Sequence, residues 1–186
     1  TPPEPQPPVK ETNDDLAGYF PLQEGNSWVY EGICNKFASY SQKVTYRENK
    51  KAQVVVSSGT VTANRYEFTE DSILQTFRQH EFYEDKSILD SPANMQAIIL
   101  KLPLQVGNSW ISESNSCEII DIAAKVETPA GTFQDCLAVK TTYADSDNYS
   151  IYYYAKGIGM VKSEYVMPEA TVISQLASYS LKPAEI

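Results

Sequence analysis

The octapeptide PLQEGNSW at residues 21–28 recurs almost unchanged as PLQVGNSW at residues 103–110. The two copies differ at one position and lie 82 residues apart. Chance recurrence of such a peptide in a chain of 186 residues is improbable, so we interpret it as the opening of two related halves.

Each octapeptide has the composition of a tight turn that starts a strand. Gly25 and Gly107 are suited to a positive φ angle, and the Asn-Ser pair that follows ends the turn. Trp28 and Trp110 would then begin a strand with their rings buried. We therefore interpret the motif as a structural turn rather than a ligand site.

The rest of the chain predicts strands almost throughout. In residues 27–33, Trp28 and Tyr30 alternate with outward residues. In residues 39–48, Tyr40, Val44 and Tyr46 are predicted to share one face. The β-branched residues 52–58 suggest a strand covered on both faces. Further strands are predicted at residues 60–68, 73–79, 80–85, 109–114, 117–127, 132–143, 149–156, 159–167 and 171–181.

The sequence TPAG at residues 128–131 predicts a hairpin turn, with Gly131 at its last position. Pairing Val126 with Phe133 places Ile122 opposite Leu137 and Ile120 opposite Val139, all on one face. The same register sets Cys136 opposite Ala123 and Cys117 opposite Thr142, which makes a Cys117–Cys136 disulfide a poor candidate.

A helix is predicted only weakly. Residues 91–102 have Ser91 as a cap and Pro92 at the first helical position. Ile98, Ile99 and Leu100 could equally form a strand.

Looser matches extend the repeat beyond the octapeptide. Gly-Thr occurs at residues 59–60 and 131–132, and an aromatic pair followed by lysine occurs within residues 82–86 and 153–156. We predict a mainly β fold of antiparallel meanders in two tandem pseudo-repeats, at about residues 18–101 and 102–183. These would form one strongly twisted sheet, a sandwich or an open barrel, with at most one or two short helices.

Composition restricts the possible partners. The net charge is −9, and no run of lysine and arginine interrupts it, so nucleic acid and anionic lipid surfaces are unsuitable partners. No apolar run approaches the ~20 residues that span a bilayer.

The proline-rich residues 1–15 predict a disordered tether before a single domain at residues 16–186. Since the chain starts at Thr1 without methionine, it is expected to be a trimmed form. Such a tether is typical of a bacterial lipoprotein whose acylated cysteine precedes the folded domain, and equally of an interdomain linker.

Three cysteines, Cys34, Cys117 and Cys136, leave at least one unpaired, and whether Cys34 pairs with either of the others is open. With one histidine and no C-x-x-C motif, a conventional zinc site is not expected, and no cofactor is predicted.

Three segments resemble signatures of uncharacterised domains in bacterial secreted proteins and lipoproteins. They are FPLQEGNSWVY, AGTFQDCLAV and YYYAKGIGMVKSEY, and the resemblance covers most of residues 18–166. It implies an antiparallel β architecture and an extracytoplasmic location, and it implies no activity. It also gives Cys136 a buried structural role and places Gly157 and Gly159 in a bend between strands. A more distant likeness is to the curved sheets of periplasmic lipoprotein carriers.

Few residues suggest chemistry. His80 lacks a recognisable nucleophile nearby in sequence and is interpreted as a surface or edge residue. Glu31 and Glu113, at equivalent repeat positions, could form a carboxylate pair, as could the acidic cluster in residues 81–85.

Two other clusters could bind a ligand. Asp145, Asp147 and Asn148 offer oxygen ligands to a cation, although an ordinary polar turn fits them better. Tyr152, Tyr153 and Tyr154 would alternate across a sheet and could bind a sugar or peptide, or simply pack.

The sequence therefore predicts a non-catalytic domain of a lipoprotein, with a binding or structural role at the cell envelope. Its partner would be an envelope component or a small ligand, and its contact with the membrane would be only through an N-terminal lipid anchor. The alternative is a carrier of a hydrophobic, lipid-like ligand inside a curved sheet. A carbohydrate-active enzyme with paired carboxylates is the third possibility.

Overall fold

A computed structural model describes residues 13–183 and shows one antiparallel sheet of twelve strands with almost no helix. Helix α1 (Asn13–Tyr19) precedes the sheet, and one turn of 3₁₀ helix (Lys36–Ala38) follows the first strand. The strands are β1 (Ser27–Ile33), β2 (Tyr40–Glu48), β3 (Lys51–Ser57), β4 (Val61–Phe68), β5 (Ser72–His80), β6 (Ala97–Lys101), β7 (Ser109–Ser112), β8 (Asn115–Thr128), β9 (Gly131–Thr142), β10 (Tyr149–Ala155), β11 (Gly159–Met167) and β12 (Ala170–Ser180).

The sheet order is β6-β5-β4-β3-β2-β1-β12-β11-β10-β9-β8-β7. The two ends of the chain therefore meet in the middle of the sheet, where β1 pairs with β12. Strands β6 and β7 are the two ends of the sheet order and lie against each other, which makes the sheet a nearly closed barrel. The predicted fold class is confirmed in this form.

The two octapeptides form the same turn. Gly25 has a φ of 93° and Gly107 a φ of 89°, as the sequence predicts. Gly25 N–H donates to Val44 O at 2.9 Å, and Gly107 N–H donates to Ile119 O at 2.8 Å. Both turns thus join their strand to the next one through equivalent backbone bonds.

The asparagine side chains of the two turns are also equivalent. Asn26 Nδ2 donates to Pro21 O at 2.7 Å, and Asn108 Nδ2 donates to Pro103 O at 2.8 Å. Each of these carbonyls also accepts a backbone N–H, from Gln23 and Gln105 respectively, so the asparagine adds a second bond that holds the turn. These asparagine bonds explain why Asn is repeated together with Gly.

Both tryptophans lie in the main core and donate their indole N–H to a backbone carbonyl. Trp28 Nε1 lies 2.7 Å from Ile158 O, and Trp110 Nε1 lies 3.1 Å from Ile98 O. The first bond joins β1 to the turn before β11, and the second joins β7 to β6. Each ring therefore contributes apolar burial and one long-range hydrogen bond.

The looser repeat matches do not fall at equivalent places. Gly59 lies in the connection between β3 and β4, the third after Trp28. Gly131 begins β9, at the second connection after Trp110. The division into two pseudo-repeats, each with six strands, thus rests on the octapeptides and stays a prediction.

The predicted assignment of side chains to the two faces of the sheet is correct for β1 and wrong at Tyr46 in β2. Tyr40 and Val44 line the interior, but the ladder with β3 shifts between Val44 and Tyr46. Tyr46 consequently faces outward, where its hydroxyl bonds to Asp85 Oδ1 at 3.1 Å. Thr45 is the extra residue of the bulge.

The β8–β9 register was predicted correctly at Val126–Phe133 and holds again at Asp121–Ala138, but it was wrong for Ile120 and Ile122. The ladder shifts three times. In β8 the Asp121 carboxylate accepts the Ala123 N–H at 2.8 Å where extra residues lie, and in β9 Asp135 has a φ of 52° beside another extra residue. Ile119, rather than Ile120, therefore pairs with Val139.

The shifts also change which side chains face outward and which residues lie opposite Cys117 and Cys136. Ile120 and Ile122 are 37% and 45% exposed instead of facing inward. Cys136 lies opposite Ala124, and Cys117 lies opposite Thr141, each one residue from its predicted partner.

Residues 81–96, between β5 and β6, form a long loop instead of the predicted strand at 80–85 and helix at 91–102. Only the strand alternative for Ile98–Leu100 is correct, as part of β6. The buried Arg65 holds the loop on the outer face of the sheet, donating from Nη1 to the carbonyls of Ile88 and Leu89 at 3.2 Å each.

Gln53 holds the same loop from β3. Its Nε2 donates to Lys86 O at 3.1 Å, and its Oε1 accepts the Ile88 N–H at 2.7 Å. This contact explains why β3 is covered on both faces, as predicted.

The α-helix of the described chain is α1, at Asn13–Tyr19, and not the predicted one at residues 91–102. Residues 13–15, predicted as the end of the tether, are its first turn, and residues 1–12 lie outside the described part of the chain. Within residues 13–183 no helix has the length and apolar character needed to cross a bilayer.

Candidate functional site

The inside of the sheet holds a cavity of about 610 Å³, which we call the interior cavity. Aliphatic and aromatic side chains from both halves line it, including Val54, Val56, Ile98, Val139 and Met160. Exposed residues at the ends of strands, among them Arg78, His80 and Glu113, mark where it meets solvent. The volume lies within the range of small-molecule sites.

The segment after α1 forms the floor of the interior cavity. The Phe20 ring lies 5.1 Å from that of Tyr154 and 6.2 Å from that of Tyr66, measured between centroids. The backbone bond from Gly157 N–H to Gly18 O, at 2.7 Å, ties the helix to the sheet. The helix therefore closes one end of the barrel.

Tyrosine side chains cross the middle of the interior. Tyr40, Tyr66, Tyr152 and Tyr154 all line the interior cavity. Tyr40 and Tyr152 also line a second cavity of about 330 Å³ on the side of the 3₁₀ turn, so their rings separate the two spaces.

Burial sets the protonation of these phenols. It raises the pKa of Tyr40, Tyr152 and Tyr154 well above the usual value, and neighbouring tyrosines add to the effect. Burial likewise raises the pKa of Tyr66, while the nearby Arg78 charge lowers it. The cavity wall thus offers neutral hydroxyl groups as donors. The Tyr154 hydroxyl has no hydrogen-bond partner among residues 13–183, although the residue is 5% exposed.

A polar cluster, which we call the amide–guanidinium cluster, consists of Asn64, Gln75 and Arg78. Asn64 and Gln75 are 5% and 4% exposed and lie on neighbouring strands. Gln75 Nε2 donates to Asn64 Oδ1 at 2.7 Å, and Arg78 Nε donates to the same oxygen at 3.2 Å. Arg78 Nη2 donates to Gln75 Oε1 at 3.3 Å.

These bonds fix the orientation of both amides. With Asn64 Oδ1 accepting twice, its Nδ2 group faces away from the cluster and has no partner in the described chain. Arg78 forms no ion pair with any described carboxylate. The cluster therefore presents unused donors and one positive charge to the interior cavity.

The predicted tyrosine site is divided between two faces. Tyr152 and Tyr154 point into the barrel, as alternation requires, whereas Tyr153 faces outward near Lys162, whose Nζ lies 5.6 Å from its ring centroid. The three rings therefore do not form one surface.

The predicted carboxylate pair is not brought together. Glu31 lies on the outer face of β1, where its Oε1 accepts from Gln175 Nε2 at 3.0 Å. Glu113 lies in the β7–β8 turn with a φ of 56° and lines the mouth of the interior cavity. His80 is exposed at the same mouth, with Nδ1 at 3.2 Å from Thr62 Oγ1.

The predicted cation loop is a polar turn between β9 and β10. Asn148 Nδ2 donates to Tyr165 Oη at 2.7 Å, while Asp145 and Asp147 are exposed. In residues 13–183 no three His, Cys, Asp or Glu side chains are grouped to hold a metal ion.

All three cysteines are free thiols. Cys34 is exposed at the end of β1, and Cys117 and Cys136 are buried in the core. Burial, and then the charge of Asp135, raises the pKa of Cys136 to about 11. The glycines of the predicted bend, Gly157 and Gly159, both adopt positive φ between β10 and β11.

The chain belongs to the DUF3108-like family, whose sequence profile matches residues 29–176. No curated protein sequence matches it significantly.

Two solved structures are similar to this chain. One is a protein of Bacteroides fragilis NCTC 9343, inferred to be exported, with a YmcC-like fold. It has 15% identity and a TM-score of 0.52, and the match covers 85% of this chain and 96% of that one. The other is a protein of Parabacteroides distasonis ATCC 8503, inferred to be a lipoprotein. It has 16% identity and a TM-score of 0.44, over 86% and 96% of the two chains.

Sequence reasoning missed the amide–guanidinium cluster, although a signal was present. Polar residues alternate along β4 as Thr62, Asn64 and Tyr66, and along β5 as Arg78 and His80. A period of two places each set on one face, and antiparallel pairing brings the sets together.

Proposed function

We propose that this chain is a non-catalytic extracytoplasmic domain that binds one small, largely apolar ligand inside its sheet. The observation that carries the proposal is the interior cavity of about 610 Å³, enclosed by the sheet and open beside Arg78 and Glu113. It favours the ligand-carrier alternative over binding on an external aromatic face, because Tyr152 and Tyr154 point inward.

Location outside the cytoplasm is supported by the resemblance of the sequence to secreted proteins and lipoproteins. The name of the Bacteroides fragilis neighbour, a protein inferred to be exported, agrees with it. We propose that an acylated cysteine upstream of Thr1 anchors the domain, with the proline-rich segment as its tether. Mass spectrometry of the mature N-terminus in the native host tests this, and an unmodified N-terminus would contradict the anchor.

A probe experiment tests ligand binding. N-phenyl-1-naphthylamine, a neutral apolar dye, should enter the interior cavity and gain fluorescence. Ala97→Phe fills part of the cavity and should weaken dye binding by on the order of tenfold. Ala123→Phe, on the exposed outer face of β8, is the matched control and should leave binding unchanged.

Circular dichroism of both variants should match that of the original chain, so that loss of binding cannot be ascribed to unfolding. Absence of saturable dye binding, or equal weakening by both substitutions, would contradict an interior site. Native mass spectrometry of protein from its own host should then show one bound small molecule per chain.

A further inference from the structure

We propose that the ligand of the interior cavity is a single-chain amphiphile with a carboxylate head group, held by Arg78, Asn64 and the Tyr66 hydroxyl. This inference rests on the proposed function and adds the chemical class of the ligand. It follows from the placement of one oriented cation and two unused donors beside the mouth of a cavity that aliphatic and aromatic side chains also line.

The Arg78 guanidinium is oriented before any ligand arrives. Its Nε and Nη2 atoms donate to the oxygens of Asn64 and Gln75, at 3.2 and 3.3 Å. Nη1 and the second hydrogen of Nη2 remain unused, on the end of the planar group. This is the geometry with which a guanidinium binds the two oxygens of a carboxylate.

Asn64 and Tyr66 add donors beside this guanidinium fork. Asn64 is buried, and its Oδ1 is occupied twice, so only its Nδ2 hydrogens are directed away from the cluster. Tyr66 lies two residues further along the same face of β4, also lines the interior cavity, and has no hydrogen-bond partner in the described chain. Each of these donors reaches the interior cavity without a partner in the described chain, so an acceptor on a ligand there would bond to it.

Charge also favours an anionic head group. Among the described residues that line the interior cavity, Arg78 is the only lysine or arginine, and no described carboxylate pairs with it. A single positive charge matches a monoanion better than a dianionic phosphate. Arg78 is exposed at the mouth of the cavity, so its charge attracts an anionic head group to that opening.

The remainder of the interior cavity has room for one apolar chain, beside the polar side chains of Gln42, Ser112 and Thr141. The apolar part of its lining includes Val54, Ile98, Met160, Phe20 and Tyr154. A ligand with its head at Arg78 would therefore extend toward the floor formed by the segment after α1.

The test measures competition of dodecanoate and of 1-dodecanol against N-phenyl-1-naphthylamine, with the full chain and below the micellar range. The original protein should bind dodecanoate more tightly than dodecanol. Arg78→Gln should weaken dodecanoate by on the order of tenfold and leave dodecanol and the dye unchanged. Lys43→Gln, which removes the same charge from the outer face of β2, is the control and should change none of the three.

Glu113→Gln should change the affinity for dodecanoate in the opposite direction. Because this carboxylate lines the same mouth, its removal should tighten dodecanoate binding and leave dodecanol unaffected. The inference is overturned if the original chain does not distinguish the two compounds, or if Arg78→Gln weakens both equally. Dye binding that persists in those cases would leave the proposed function intact, whereas loss of all binding would remove both.

Discussion

Trp110 and Ile98 join the two ends of the sheet: the indole N–H donates to the Ile98 carbonyl oxygen at 3.1 Å. Strands β6 and β7 share no backbone ladder, and Ser112 Oγ accepts the Ile98 N–H at 2.8 Å. Side chains of β7 thus satisfy both backbone groups of Ile98, as a neighbouring strand would.

Trp110→Phe should keep most of the apolar burial and lose this bond. We expect the free energy of unfolding to fall by about 1–2 kcal/mol, measured by urea denaturation. Hydrogen exchange should accelerate in β6 more than in β3. Trp28→Phe is the matched control, since it removes an equivalent bond to Ile158 without touching the β6–β7 contact. Unchanged exchange in β6 would contradict this role of Trp110.

Replacing either octapeptide glycine, Gly25 or Gly107, by alanine should lower the free energy of unfolding. Gly107 has a φ of 89° with open space where a Cβ would stand, so Gly107→Ala should report backbone strain alone. We expect a loss of about 1–3 kcal/mol in thermal or urea unfolding. Gly25→Ala should cost at least as much, because its added Cβ would also lie 2.6 Å from Lys182 Cε. Gly18→Ala, in α1, is the control and should cost less, because alanine favours helix and the added Cβ meets only the flexible Lys156 side chain, 3.1 Å from Cε. Equal effects at Gly18 and Gly107 would contradict the strain.

Arg65 and Lys125 provide a comparison of buried and exposed ion pairs at the same sequence spacing. Arg65 Nε lies 3.0 Å from Glu67 Oε1 with its side chain 3% exposed, whereas Lys125 and Glu127 are both exposed. Arg65→Ala should cost about 3 kcal/mol, because Glu67 loses its partner and the 81–96 loop loses its anchor. Lys125→Ala should cost less than about 1 kcal/mol.

Urea denaturation of each variant measures the two costs. Limited proteolysis should show early cleavage in the loop for Arg65→Ala alone. Losses of equal size in the two variants would contradict the structural role of Arg65.

The strands and their order in the chain could be predicted because local signals determine them. The alternation of Trp28 and Tyr30, and the repeated Gly-Asn turns, are sufficient to place β1 and β7. Bulges are harder to predict. The shift in β8 depends on one Asp121 carboxylate bonding to Ala123, and that in β2 on Thr45, so apparently regular patterns gave the wrong face for Tyr46.

The interior cavity could not be predicted from the sequence either, and the reason differs from that for the bulges. The interior cavity is lined from both halves, by residues as distant as Tyr40 and Met160, and its existence depends on the closure of β6 against β7. Sequence periodicity assigns Asn64 and Arg78 to one face. It does not say whether that face meets a core or an open space.

The cysteines should differ sharply in reactivity. Cys34 is exposed, whereas Cys117 and Cys136 are buried and burial raises the pKa of each thiol. At pH 8, Ellman's reagent should modify one thiol per chain rapidly and all three only after denaturation. Cys34→Ser should abolish the fast phase. A fast phase that survives in Cys34→Ser would contradict the burial of the other two.

The interior phenols should make stability fall at alkaline pH. Burial, followed by neighbouring tyrosines, raises the pKa of Tyr30, Tyr40 and Tyr154 in the folded chain above the value of about 10 in the unfolded chain. Their contribution to stability is complete below pH 10 and is lost as the pH rises above it, because only the unfolded state then releases these protons.

Absorbance at 295 nm should accordingly show that Tyr30, Tyr40 and Tyr154 ionise only as circular dichroism reports unfolding. Tyr154→Phe should shift this alkaline transition to higher pH, since it removes one of the coupled acids and keeps the ring. Ionisation of all tyrosines in a single step near pH 10, with the sheet intact, would contradict their burial in the barrel.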